Sequence, residues 1–163
     1  MQNTNNNELI IEDAKKFLRD SNIAVIATSV DNIPHASTIY YYMYDSFNFY
    51  FYTKENTTKS KNIKRNSNVS LIIGTGPEHI TIKTQGEAFE ITEADEKEIL
   101  FDKLIETSKS MGVKMWPTED MNKLKGQNNM IFKFVPDKMF FMNLDSMKYP
   151  NSISENYHEI PLS

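Results

Sequence analysis

Between Ile23 and Thr53 the chain spells three strand-like runs separated by two-residue breaks, and that pattern restricts the fold more than any other feature. IAVIATSV (23–30) is apolar, rich in β-branched residues and bounded by turn formers, which favours a strand. Asp31-Asn32 then makes a tight turn, and Pro34 opens a second strand at its first position, where a missing N–H is tolerated. HASTIYYYMY (35–44) is that strand, and Asp45-Ser46 turns the chain into a third, Phe47 to Thr53. In the third strand Phe49 and Phe51 fall on one face and Tyr50 and Tyr52 on the other. Strands joined this closely pair antiparallel, as a meander.

The remaining segments extend the same theme. Residues 1–6 are polar and expected to be a disordered lead. From Asn7 a helix is expected, with Leu9, Ile10, Ala14, Phe17 and Leu18 at helical spacing, ending near Asp20–Asn22. Asn68 to Gly74 reads as a fourth strand, Gly-Thr-Gly-Pro at 74–77 as a turn, and Ile80 to Ile91 as a fifth strand with Gly86 marking a bulge or bend. The glycine pair lacks the spacing of a phosphate-binding fingerprint. Thr92 is the expected N-cap of a helix over 93–108, with Ile99, Leu100, Leu104 and Ile105 as its buried stripe. A short helix is expected from Thr118, followed by two closing strands, Met130 to Val135 and Lys138 to Asn143, either side of Pro136-Asp137. The tail from Leu144 to Ser163 is polar and expected over the surface or a partner. Six or seven strands with short turns and two main helices predict a mainly β fold, a small antiparallel barrel with peripheral helices, in one domain spanning residues 1–163.

Composition narrows the function. A net charge of −4 and a pI near 5.4 argue against a dedicated nucleic-acid binder. The chain has no Cys, which excludes disulfides, thiolate catalysis and Cys-based zinc sites. The first residues show no secretory pattern, and no apolar run approaches the roughly 20 residues of a membrane helix, so the chain reads as soluble and cytoplasmic. His35, His79 and His158 share no metal-ligand spacing, no Ser or Thr comes with a base and an orienting acid, and Glu93, Asp95, Glu96 and Glu98 form one solvated helix face. Any hard chemistry must therefore belong to a bound cofactor.

One stretch invites such a group. Lys54 to Arg65 carries five cations against a single acid, Glu55. Asn56, Thr57 or Thr58 can cap a short helix running towards Asn66. A helix start with hydroxyls and ammonium groups suits a phosphate dianion. A solvated loop followed by one basic turn accounts for the same residues without a ligand.

The segments IAVIAT, DNIPHASTIYYYMYD, FYFYTKENTTKSKNI and NSNVSLIIG, continued to Gly86, resemble the flavin-binding split-barrel family of pyridoxamine 5′-phosphate oxidase and its relatives. The most specific part is aromatic-Tyr-Thr, four residues, a hydroxyl or cation, then Lys: Tyr52, Thr53, Thr58 and Lys59. The resemblance implies a split barrel that binds FMN at a homodimer interface. It implies that Ser37, Thr38, Ile39, Tyr40 and Tyr42 would lie under the isoalloxazine ring. Tyr52 and Thr53 would flank the ribityl chain, and Thr58 and Lys59 would hold the phosphate, assisted by Lys61. Thr81 would contact the flavin, and Trp116 would close the ring pocket from the second subunit. The oxidase has Arg where this chain has Ser37 and Thr58, and a C-terminal Arg-x-His element that is missing here. The general-stress-type relatives therefore fit better than vitamin B6 oxidation.

The expected function is that of an FMN-dependent oxidoreductase acting on a small molecule. A flavin carrier or sensor, a haem-binding barrel with His35 or His158 as axial ligand, and a cofactor-free interaction module are the alternatives.

Overall fold

The computed structural model describes residues 2–44, 47–74, 80–110, 129–143 and 157–162. The chain order is α1 (Gln2–Asp20), β1 (Ile23–Val30), β2 (Ile33–Met43), β3 (Phe49–Lys54), α2 (Thr58–Arg65), β4 (Asn68–Ile73), β5 (Ile80–Glu90), α3 (Ala94–Ser110), β6 (Asn129–Asn143) and β7 (Tyr157–Glu159). All strand pairs are antiparallel, in the order β3-β2-β1-β4-β5-β6-β7, and β3 also pairs with β6. The sheet thus closes into a six-stranded split barrel with β7 appended.

Alternation builds the interior. Ile26, Phe49, Phe51, Leu71, Ile73, Ile82, Phe132, Phe134, Met139 and Phe141 are fully buried, at alternating positions of β1, β3, β4, β5 and β6. Stacked Phe51–Phe132 and tilted Phe49–Phe134 ring pairs form across the β3–β6 seam. Helix α1 supplies Ile10, Ala14 and Leu18 to the same core. The Tyr41 hydroxyl donates to the Leu18 carbonyl at 2.9 Å, satisfying a helix-end acceptor. A second cluster lies outside the barrel wall, where Leu100, Phe101 and Ile105 of α3 cover Tyr50 and Ile131.

The β1–β2 connection is the expected tight turn, with Asp31 and Asn32 at φ 54° and 61°, as a type I′ turn requires. The expected irregularity at Gly86 is a bulge whose extra residue, Asp137, lies on β6 opposite it. The β5–β6 register shifts between Gln85 and Gly86, so that Lys138 faces Gln85 and Pro136 faces Gly86. A Cβ on Gly86 would sit 2.1 Å from the Val135 carbonyl oxygen.

Several expectations need correction. The two closing strands are one 15-residue strand, β6, because the bulge lets Pro136-Asp137 pass without interrupting pairing. Helix α1 begins at Gln2 rather than Asn7, since extending an anchored helix requires no new nucleus. Leu9 and Ile99 are exposed, and Phe101 takes the place expected for Ile99. The Lys97 amide bonds to the Glu93 carbonyl, so Glu93, not Thr92, is the cap position of α3. Part of the tail is a strand, pairing Tyr157–Glu159 with Phe140–Met142 and burying Ile160. The expected helix from Thr118, the Asp45-Ser46 turn and Trp116 lie outside the described residues.

Candidate functional site

Strands β2 and β3 pair only over Tyr41–Met43 and Phe49–Phe51. Beyond Phe51, β3 continues with β6 alone, while β2 continues with β1 alone. The two strands part there, and the gap is the split of the barrel. Val30 and Ile33 flank the two-residue turn as a hydrogen-bonded pair, so the odd-numbered residues of β2 direct their main-chain groups to β1. The N–H and C=O groups of Ala36 and Thr38 consequently face the split, with no strand partner among the described residues. Pro34, on the same edge, has no N–H to offer.

Helix α2 spans this gap. Thr57 is its N-cap, accepting from the Ser60 amide. The Thr57 hydroxyl lies 3.0 Å from that of Thr53 at the end of β3. The Ser60 hydroxyl, fully buried, has its one hydrogen within reach of the carbonyls of Glu55 and Thr57. From the other end of the helix, Asn66 Nδ2 donates to the Ser29 carbonyl and Asn62 Nδ2 to Thr28 Oγ1 at 3.0 Å. Ile63 drops into the core. The helix is pinned to the β3 lip by hydroxyls and to the β1–β2 lip by two amide side chains.

The charges divide unevenly. Lys64 meets Glu55 at 3.8 Å and Glu90 at 3.7 Å, and Arg65 Nη2 donates to both carboxylate oxygens of Asp31. Lys59, in the first turn, is half-buried, and desolvation holds its ammonium below the ordinary lysine range. No carboxylate among the described residues pairs with it. Thr58 and Lys61 are exposed on the same turn. The first-turn amides of Thr58 and Lys59 have no intrahelical acceptor.

The expected site residues fall into four groups. Thr38 and Tyr40 lie on the outer face of β2 beside the split, and Thr58, Lys59 and Lys61 stand at the start of α2. Tyr42 and Tyr52 are also on the outer face, packed against the α3 cluster. Tyr52 donates to Asn129 Oδ1 at 2.9 Å and meets Phe101 edge-on. Ile39 and Thr53 turn inward and are buried. Ser37 shares that inner face, its Oγ buried without a partner, as is Nδ1 of His35 two residues earlier. Thr81 is remote from α2, three strands from β2, and donates to the Gly74 carbonyl at 2.7 Å. Sequence reasoning missed Ser60 and Asn62. The helical spacing of Ser60 and Ile63 was the available signal for the inner face, and nothing local marked Asn62.

A cleft of about 400 Å³ opens elsewhere, between α1 and the ends of β5 and β6, lined by Asp13, Lys16, Asp20 and Asn143 among others. It shares no residue with α2 or β2. No group of three metal-ligating side chains occurs among the described residues. No described helix is long and apolar enough to cross a membrane.

The family described as pyridoxamine 5′-phosphate oxidase matches residues 10–141 of this chain. The chain belongs to that family. Solved structures agree on the fold. General stress protein 26 of Bacillus anthracis is 20% identical, with a TM-score of 0.59 over 80% of this chain and 91% of its own. A Clostridium acetobutylicum protein related to general stress protein 26, of the pyridoxinephosphate oxidase family, is 14% identical, with a TM-score of 0.63 over 85% and 90%. A FAD-binding protein of Mesorhizobium loti is 15% identical, with a TM-score of 0.59 over 78% and 87%. No curated protein matches the sequence.

Proposed function

We propose that this pyridoxamine 5′-phosphate oxidase family member binds a flavin phosphate, FMN, and acts as a flavin-dependent oxidoreductase on a small molecule. The observation that carries the reading is Lys59, a half-buried ammonium without a carboxylate, at a helix start whose first amides are free. The donor set fits the group. Lys59 and the Thr58 hydroxyl would hold the phosphate, with Lys61 free to assist from solvent. The open main chain of Ala36 and Thr38 offers donors and acceptors to the pyrimidine edge of the ring, which presents an N–H between two carbonyls. Tyr40 and Tyr42 on the outer face of β2 supply aromatic surface beside it. Bound flavin supplies the redox chemistry; the chain's part is to hold the phosphate, orient the ring and limit water around it.

We further propose a homodimer. Val25 faces Ile72 across β1–β4, and Ile23, Ala27 and Ile72 are exposed on the outer sheet face that carries Thr38 and Tyr40. This uncovered apolar strip gives a second copy a surface to bury and would enclose the ring between subunits.

The test is the visible absorption spectrum of the purified protein after addition of FMN and desalting, beside a Lys59→Ala variant. Retention of flavin by wild type and its loss in the variant is the expected result. A wild-type protein that releases all added flavin overturns the reading.

A further inference from the structure

The cleft between α1 and the ends of β5 and β6 lies away from α2 and β2, and at about 400 Å³ it has the size of a small-molecule site. Its floor is apolar. Phe17, Ile80 and Phe141 form it, and the first two pack on the core cluster that contains the third. The Phe17 ring lies so close to Gly74 that a Cβ there would collide with it, which fixes one wall. The rim is charged. Asp13, Lys16 and Asp20 are spaced by three and four residues and so share one side of α1, facing the strand ends. The two carboxylates stand about 10 Å apart along the helix, with the ammonium between them, which leaves the lining one net negative charge. No ion pair among the described residues engages Asp20 or Lys16. Helix α1 ends at Asp20, where the negative pole of the helix adds to the carboxylate. That end is held in place, because the Leu18 and Asn22 carbonyls accept from the hydroxyl and the amide of Tyr41. Arg19, in the same turn, is not part of the lining.

We propose that this cleft is a second ligand site, for an organic cation that joins a flat apolar body to a single ammonium group. The body would lie on Phe17, Ile80 and Phe141 and gain by leaving water, while the ammonium would meet the Asp20 carboxylate. A ligand of the same shape ending in a carboxylate would face like charge from both Asp13 and Asp20, with Lys16 alone to favour it. A neutral one would gain the floor and nothing at the rim. The sign of the rim and the apolar floor together select an amine. The site shares no residue with the flavin reading, does not depend on it, and can be filled at the same time.

The experiment titrates the full chain with tryptamine, tryptophol and indole-3-propionate, one indole-ethyl body ending in an ammonium, a hydroxyl or a carboxylate, and follows the backbone amides by two-dimensional NMR. We expect tryptamine to shift the amides of residues 13–21, Ile80 and Asn143. It should bind about fivefold more tightly than tryptophol, the scale of one ion pair at an exposed rim, with indole-3-propionate the weakest of the three. Asp20→Asn, at an exposed position where folding is not at stake, should bring tryptamine to the affinity of tryptophol and leave tryptophol unchanged. Absence of tryptamine binding, equal affinities for the three probes, a preference that survives Asp20→Asn, or shifts confined to β2 and α2 overturn the proposal. FMN is then added to the tryptamine-saturated protein. New shifts at α2 with the cleft amides unmoved support two separate sites, and release of tryptamine by FMN overturns the second one. If FMN does not bind but tryptamine does, with its dependence on Asp20, the cleft stands and the flavin reading falls.

Discussion

At Lys59 an ammonium group is held half out of water, and burial lowers its proton affinity. An arriving phosphate acts in the opposite direction, because a nearby anion favours the charged form. In side-chain NMR, Lys59 should titrate below the exposed lysines in the free protein and move upward when FMN is added. A titration unchanged by FMN would count against contact. Gly86 illustrates the opposite kind of dependence, on space alone. Gly86→Ala should cost about 3 kcal/mol, the upper range for overpacking, seen as a lower urea midpoint, because its Cβ collides with the main chain of β6. Both residues were legible in the sequence, Lys59 from its motif and Gly86 from its place inside a strand pattern. Thr53 was read only as a residue of the site; its buried hydroxyl bonded to Thr57 depends on where β3 ends and α2 starts, a geometry that strand periodicity does not specify.

Among the elements, α2 is the one on which the site depends. Thr57 ties its start to Thr53, Ser60 and the Lys54 carbonyl. Thr57→Ala removes the cap and leaves the Ser60 amide without its acceptor, at a cost of about 1–2 kcal/mol. The expected outcome is a lower melting temperature together with weaker FMN retention, because the first turn frays where Lys59 stands. Loss of stability with unchanged flavin binding would separate the helix start from the site. Strand and helix existence was largely readable, since alternation and 3.6-residue spacing survive in one-dimensional form. The continuity of β6 was not, because Pro136 looks like a break until Asp137 is seen to bulge out of β6 opposite Gly86 and pairing resumes beyond it. The Asn62–Thr28 bond, which seats the helix on β1, joins residues 34 positions apart and has no local signature.

For the molecule as a whole, alkaline stability should be governed by buried phenols. Burial raises the Tyr41 hydroxyl well above the ordinary range; Tyr50 is also raised, by desolvation first and then by Glu96 and Tyr44, and Tyr52 by desolvation. A group raised in the folded state is fully stabilising below its unfolded pKa and loses that contribution as pH climbs past it. Unfolding midpoints should therefore decline above about pH 10, by roughly 1.4 kcal/mol per pH unit for each phenol kept protonated only by the fold. Tyr41→Phe should flatten that decline, and an unchanged slope would contradict it. Desolvation of Lys59 works in the reverse direction, adding stability as pH rises past its lowered folded-state pKa until the ammonium of the unfolded chain also titrates, but its exposure keeps that effect small. The outer sheet face makes a separate prediction: Ile72→Arg should leave the barrel folded but monomeric by light scattering, with FMN retention reduced.

The β3–β6 seam has a consequence for the order in which the barrel can form. Phe49–Lys54 pairs with Asn129–Phe134, partners about eighty positions apart in the chain. During synthesis β3 is complete long before its second neighbour exists, so one side of an aromatic strand stays open while the intervening strands and α3 are made. Such long-range closure makes folding slow and exposes the edge to other chains. The hairpin β1–β2 and the short helix α2 can form early, from local contacts, and the seam must wait for Phe134.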